Sequence, residues 1–305
     1  MAIQNPTAIQ VKLPRWRLRK TAAVFFQFRS STAQAQVNPV KQLPVRVICI
    51  SDTHNLRPQL PPGDLLLHAG DLTEWGTFDE IQAQLNWLSS QPHQHKILIA
   101  GNHDLLLDDD FLDRYPEHRD PHGRTKRDLD FGSVTYLQDE SITLPFHEEK
   151  KLLAVYGSPW TPRYGTSAFQ YPREEDVWAM RIPTSTDILV THGPPAGFRD
   201  IKPSAGCGYL YDEVARVKPR LMVFGHIHNA RGDEIVTFDL AQRLYRDIVE
   251  GSRGWHAIPM LALAVLWSRI RQVLRCPAPS TKMINAAVVD DMKKDAALDA
   301  FVIEV

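Results

Sequence analysis

Cysteine is scarce: Cys49, Cys207 and Cys276 are the only three in 305 residues, an odd number with no Cys-x-x-Cys spacing. That excludes a disulfide framework and a thiolate zinc site, and fits a reducing intracellular compartment, most simply the cytoplasm. Long hydrophobic runs are also missing. The longest near the C-terminus, Ala257 to Trp267, is 11 residues, where a membrane span needs about 20. Neither sign of charge dominates, since 35 Lys and Arg face 36 Asp and Glu. The chain therefore lacks the basic excess of a nucleic-acid binder, and no specific nucleic-acid binding is expected. There is no internal repeat or low-complexity tract. What remains, 43% hydrophobic and 23% charged residues, is the profile of a globular protein with a sizeable core.

A local absence is equally informative. The first 51 residues hold no Asp or Glu, yet include Lys12, Arg15, Arg17, Arg19, Lys20, Arg29, Lys41 and Arg46, with Ser30, Ser31 and Thr32 nearby. Residues 1–43 read as a basic, unstructured tail, and the same composition suits a mitochondrial transit peptide.

From residue 44 onward one arrangement returns: a short apolar run rich in β-branched residues, then a polar motif. "VRVICISDTHN" delivers Asp52 and His54, "GDLLLHAGDLTEWG" delivers Asp71, and "HKILIAGNHD" delivers Asn102, His103 and Asp104. "STDILVTHGPP" delivers His192, and "RLMVFGHIHNA" delivers His226 and His228. Unalternated apolar runs predict strands buried on both faces. Helical patterns fall between them. Thr77 and Glu80 form a capping box before Phe78, Ile81, Leu85 and Leu88, and a second helix is expected from Tyr209 to Lys218. Alternating strands and helices give an α/β class, in which ligands bind beyond the carboxyl ends of the strands, where every polar motif falls. Residues 232–282 break the rhythm and read as a helical insertion. Residues 283–305 then resemble two strands completing a sheet, and 44–231 form the main domain.

Asp52, His54, Asp71, Asn102, His192, His226 and His228 make a set of imidazoles, carboxylates and one amide. Each costs free energy to desolvate unless it is paired or bound to metal. Mixed nitrogen and oxygen donors suit manganese, iron or zinc better than calcium. Seven groups are too many for one tetrahedral ion and fit two, if one carboxylate bridges. Gly-His-x-His is the sharpest element, because residues two apart on a strand share a face.

The ordered series "SDTH", "GDLTE", "GNHD", "THG" and "GHIH" resembles the calcineurin-like metallophosphoesterase superfamily over about residues 45–231. "GDLTEWG", "YGSPWTP" and "THGPP" resemble the branch of metallophosphoesterase-domain-containing proteins and their fungal relatives. The resemblance implies a two-sheet β-sandwich flanked by helices. It also implies two divalent metal ions (Mn2+, Fe2+/Fe3+ or Zn2+). Asp52, His54, Asp71 and His228 would hold the first; Asp71, Asn102, His192 and His226 the second. His103 would face the leaving group, with Asp104 orienting or charging it. Glu74, where many relatives carry Asp, is expected not to touch the ligands.

Two such ions generate hydroxide near neutral pH, and a bridging hydroxide would attack phosphorus in line. The expected activity is a metal-dependent phosphoesterase, and the branch resemblance implies a phosphodiesterase acting on a small nucleotide, linear or cyclic. A phosphomonoesterase or protein Ser/Thr phosphatase with the same centre, and a non-enzymatic nucleotide-binding or membrane-associated protein, remain alternatives. Trp160, Arg163 and Tyr164 could stack on a base or clamp a phosphate; rigid loop packing explains them equally. Residues 257–275, apolar and then Arg-rich, could lie on a membrane surface or a partner, or pack within their own domain.

Overall fold

The computed structural model describes residues 15–30, 43–199, 205–289 and 297–305, which form two compact units. In the larger unit, β1 (Arg46–Ile50), β2 (Leu65–Ala69), β3 (His95–Ile99) and β4 (Thr135–Tyr136) run parallel in that order. The C-terminal strand β13 (Phe301–Glu304) pairs antiparallel with β1 at the edge. The second sheet has the order β11 (Gly232–Thr237), β12 (Ser280–Asn285), β10 (Leu221–Phe224), β9 (Ile188–Thr191), β6 (Lys151–Ser158), β5 (Glu140–Phe146). A short parallel pair, β7 (Thr161–Pro162) and β8 (Gln170–Tyr171), stands apart. The expected two-sheet sandwich flanked by helices is the observed fold. The C-terminal strands complete both sheets, one each, where a single sheet was expected.

Side-chain period explains why the runs do not alternate. Val47, Cys49, Leu65, Leu67, Ile97 and Ile99 face the core between the sheets, against Val155, Ile188, Val190 and Val223. Their neighbours Ile48, Ile50, Leu66 and Leu98 face outward against Ile81, Leu85 and Leu88 of α2 (Phe78–Ser89). Both faces are covered, so every position is apolar. The capping box of α2 forms as expected, with Glu80 N–H donating to Thr77 Oγ1 at 3.3 Å. Two further helices, α3 (Asp109–Arg114) and α4 (Gly208–Val217), complete this unit, and α4 ends on Lys218 at φ 56° before Pro219. Shared strand direction brings the carboxyl ends of β1, β2 and β3 to one edge, and likewise those of β6, β9 and β10 in the second sheet.

The smaller unit is helical: α1 (Arg15–Ser30), α5 (Leu240–Glu250) and α6 (Ala257–Val273). Leu18 and Ala22 of α1 pack with Ala241, Leu244 and Ile248 of α5 and with Ala257, Leu261, Ala264 and Val265 of α6. Phe26 stacks on Tyr245 with ring centroids 4.3 Å apart. This corrects the expectation of an unstructured tail for residues 15–30: Leu18, Ala22, Phe25 and Phe26 recur at helical spacing, and the basic composition hid that stripe. Residues 1–14 and 31–42 of the basic segment lie outside the described residues. The insertion is narrower than 232–282, because β11 and the start of β12 are sheet strands. Among the described residues no helix is long and apolar enough to cross a membrane.

Candidate metal centre

Each polar motif begins where a strand stops. Asp52 and His54 follow β1, Asp71 follows β2, Asn102 and His103 follow β3, His192 follows β9, and His226 and His228 follow β10. Aiming side chains back across the strand ends requires sharp turns. Asp52, His54, Asp71 and His226 have φ of 53°, 42°, 52° and 67°, a region costly for residues with a Cβ. Gly101 serves a different need. A Cβ there would lie 2.2 Å from both the backbone nitrogen and Oδ1 of Asp71, so only glycine lets the "GNHD" turn close on the "GDLTE" turn.

The seven expected ligands converge. Ligand atoms of Asp52, His54 and His228 lie within 4.8 Å of one another, as do those of Asp71, His192 and His226. Asp71, with His54 and His103, forms a third group that links the two. His54 Nε2 and His228 Nε2 face each other at 3.3 Å, and His228 Nε2 is 3.3 Å from Asp52 Oδ1. On the other side His192 Nε2 is 3.3 Å from Asp71 Oδ2 and 3.0 Å from Asn102 Oδ1. His192 Nδ1 lies 2.9 Å from the Ala69 carbonyl, so its proton sits on Nδ1 and Nε2 faces the cluster. Imidazole nitrogens aimed at one another, between carboxylates that are 0–2% exposed, are a donor set that fits borderline divalent cations.

The electrostatics follow from this crowding. Burial alone would raise Asp71, but the His192, His103 and His54 imidazoles outweigh it and hold its carboxyl well below the usual range. Asp52 is lowered against its own burial by His228 and His192. For His192, burial opposes the charged form, yet Asp71 and then Asp52 win and push it up to about 9. His226 goes the other way, down to about 4, through burial and the neighbouring His192. His68, outside the motifs, is fully buried and driven down to about 3 mainly by burial. It is bonded to Thr53 Oγ1 at 3.0 Å, a structural role.

Three expectations need correction. His226 and His228 do not share a strand face: β10 ends at Phe224, His226 is left-handed, and His228 opens a short 3-10 turn. The two rings therefore part, His226 to the Asp71 group and His228 to the Asp52 group. Asp104 does not hold His103. Its Oδ1 accepts from Thr73 N (3.0 Å) and Thr73 Oγ1 (2.8 Å), and its Oδ2 from Leu72 N (3.2 Å) and Gly101 N (2.8 Å). His103 instead donates Nδ1–H to the Glu74 carbonyl at 2.8 Å, and its backbone N–H to Asp71 Oδ1 at 2.8 Å. Glu74 does touch a candidate ligand: its Oε2 is 3.2 Å from His54 Nδ1, a close contact without hydrogen-bond alignment. The sequence marked the position but not the contact, because the irregular loop after Asp71 decides where the Glu74 side chain lands.

The expected substrate wall divides. Trp160 donates its indole N–H to Asp139 at 2.8 Å and packs edge-on against Phe169, so loop packing accounts for it. Trp160 and Arg163 line a groove of about 630 Å³ with Asp110, Arg114, Glu175 and Arg181. Tyr164 is 82% exposed and is not part of that wall. The same loop is tied to the motif turns, since Ala168 N–H donates to the Asn102 carbonyl at 3.1 Å.

Comparison with known proteins agrees with this geometry. The calcineurin-like phosphoesterase family model matches residues 45–230, and the chain belongs to that family. A probable rhamnogalacturonate lyase C of Emericella nidulans is 43% identical over 83% of this chain and 24% of its own length. The human metallophosphoesterase domain-containing protein 1 is 39% identical over 61% of each chain. A UPF0046 protein of Caenorhabditis elegans is 36% identical over 64% of this chain and 72% of its own. The chain thus spans only a quarter to three fifths of the length of the first two of these relatives.

Proposed function

We propose that this protein is a two-metal phosphodiesterase acting on small phosphoesters, nucleotides and cyclic nucleotides among them, with manganese, iron or zinc as the resident ions. The observation that carries the reading is the pair of Asp/His groups joined through Asp71, with His103 at the junction. Asp52, His54, Asp71 and His228 would hold one ion, and Asp71, Asn102, His192 and His226 the other. When bound, two such ions supply positive charge for the phosphate oxygens and a hydroxide nucleophile near neutral pH.

The chain's own groups do the rest. His103 keeps one proton on Nδ1, committed to the Glu74 carbonyl. Nε2 is then the atom that carries the exchangeable proton, and it is free to pass it to a departing alkoxide. Asp104 fixes the two turns that present Asp71, Asn102 and His103. Diesters are favoured over monoesters by charge. Glu74, with a side chain 45% exposed, adds a carboxylate at the rim beside His54, and this repels a dianionic monoester more than a monoanionic diester. The deciding experiment compares bis-p-nitrophenyl phosphate with p-nitrophenyl phosphate, with manganese added. Faster turnover of the diester is expected; faster turnover of the monoester would favour a phosphomonoesterase, and turnover of neither a binding role.

A further inference from the structure

Helix α6 is apolar on two sides. Ala257, Leu261, Ala264 and Val265 are buried in the helical unit, against α1 and α5. On another side Met260, Leu263, Leu266, Trp267, Ile270, Val273 and Leu274 recur at spacings of three and four, and all are 39–82% exposed. A helix that is apolar all round normally has its whole circumference covered. Here a stripe running from the second turn to the helix's C-terminal end faces solvent, far more than the single exposed apolar residues common on any surface.

The surroundings of the stripe are basic. The helical unit, counted over residues 15–30 and 237–279, holds 11 Lys and Arg against three Asp and Glu, whereas the whole chain nets −1. Arg269 and Arg271 flank the last turns of the stripe on α6 itself, and Arg275 lies one residue beyond Leu274. Arg271 Nε donates to the Cys276 carbonyl at 3.0 Å and Arg269 to the Phe28 carbonyl, neutral acceptors that hold these cationic heads near the C-terminal end of the stripe. Arg15, Arg17, Arg19 and Lys20 lie on α1 with Trp16, which is 60% exposed.

We propose that the α6 stripe docks on an anionic lipid surface, its leucines and Trp267 entering the interface while the basic residues meet the head groups. Charge decides between occupants. A second copy would bring two strongly basic units together, which repel. A nucleic acid would use the arginines and leave the leucine-rich stripe in water. An anionic bilayer satisfies both features at once, and α6 at 17 residues is too short to cross it, so it lies in the plane.

The test uses the full chain in vesicle sedimentation, with phosphatidylcholine vesicles and the same vesicles carrying phosphatidylserine. Binding to the second but not the first is expected. It should weaken on raising salt and fall at least about 30-fold in R271E/R275E, given roughly fivefold per cationic side chain near such a surface. L263E/W267E should abolish it while circular dichroism and solution phosphoesterase activity stay unchanged, since both side chains are exposed. No binding to either vesicle overturns the proposal. So does binding that L263E/W267E leaves intact, or a concentration-dependent dimer that this variant dissolves without any vesicle binding.

Discussion

Replacing Asp104 by Asn separates two roles for a residue whose side chain is fully buried. Its four partners are all donors: Thr73 N–H, Thr73 O–H, Leu72 N–H and Gly101 N–H. That is the environment of an ionised carboxylate, even though burial and then the charge of Asp71 raise its pKa. Asparagine keeps one acceptor oxygen. Its best orientation sets that oxygen toward Leu72 and Gly101 and its amide toward Thr73, whose hydroxyl can turn to accept. Thr73 N–H is then orphaned, at about 1–3 kcal/mol, and the surviving bonds lose charge assistance worth about 1–2 kcal/mol together. Relief of repulsion with Asp71 returns about 1 kcal/mol, less than a bare pair would give at an effective dielectric near 20, because the charged His192 at 3.3 Å offsets most of the Asp71 field. The net loss is about 1–4 kcal/mol, or about 2–15 °C in Tm for a unit of this size.

The assay is thermal unfolding of metal-free protein and, with manganese restored, hydrolysis of a nitrophenyl and an alkyl ester at permissive temperature. If Asp104 ties the turns together, Tm falls and both esters slow alike, because Asp71, Asn102 and His103 all lose their support. If it served to charge His103, stability would hold and only the alkyl ester would suffer. A Tm within about 2 °C of wild type, with selective loss of the alkyl ester, would refute the reading.

Other outcomes follow from the same geometry. His103→Ala should slow hydrolysis of an alkyl or nucleotide ester by about 10² to 10⁴, and of a nitrophenyl ester far less, with metal content unchanged; equal slowing of both would remove the proton-donor role. His228→Ala should deplete chiefly the ion shared with Asp52, and His192→Ala the ion shared with Asn102; elemental analysis showing the same loss in both variants would contradict the assignment. His192 carries a proton below about 9 in the metal-free chain, and an entering ion must displace it. Affinity should therefore rise with pH up to about 9 and level off above it. Calorimetry in two buffers of different ionisation heat should show about one proton released at pH 7, and zero release would be decisive against this.

How far the sequence carried depended on distance along the chain. The strands were legible because burial on both faces removes every polar residue from Ile48 to Ile50, Leu65 to Leu67 and Met222 to Phe224. Helix α2 was legible because its cap and its buried stripe both lie within 12 residues. Helix α1 was not: its partners Leu244 and Leu261 lie more than 200 residues away, and its arginines dominated the composition. The seven ligand candidates were legible as a set. What each does with its neighbour was not, because His226 and His228 separate through a left-handed turn and Glu74 reaches His54 through a loop. No periodicity encodes either event.

The same turns explain why a buried carboxylate sits beside a cluster already rich in negative charge. Four candidate ligands held at φ of 42–67° cost about 1–3 kcal/mol each, together a large share of the 5–15 kcal/mol that usually separates folded from unfolded chains. Strain of that size persists only if hydrogen bonds fix the turns from outside. Asp52 does so for the last motif by accepting His226 N–H at 3.0 Å, and the Asp71 carbonyl for the first by accepting His54 N–H at 3.2 Å. For the Asp71 turn that work falls to Asp104, through Leu72 and Thr73 on one side and Gly101 on the other. Its placement is thus a consequence of the backbone geometry the site requires, and the acidity it adds beside Asp71 is the cost of holding that geometry.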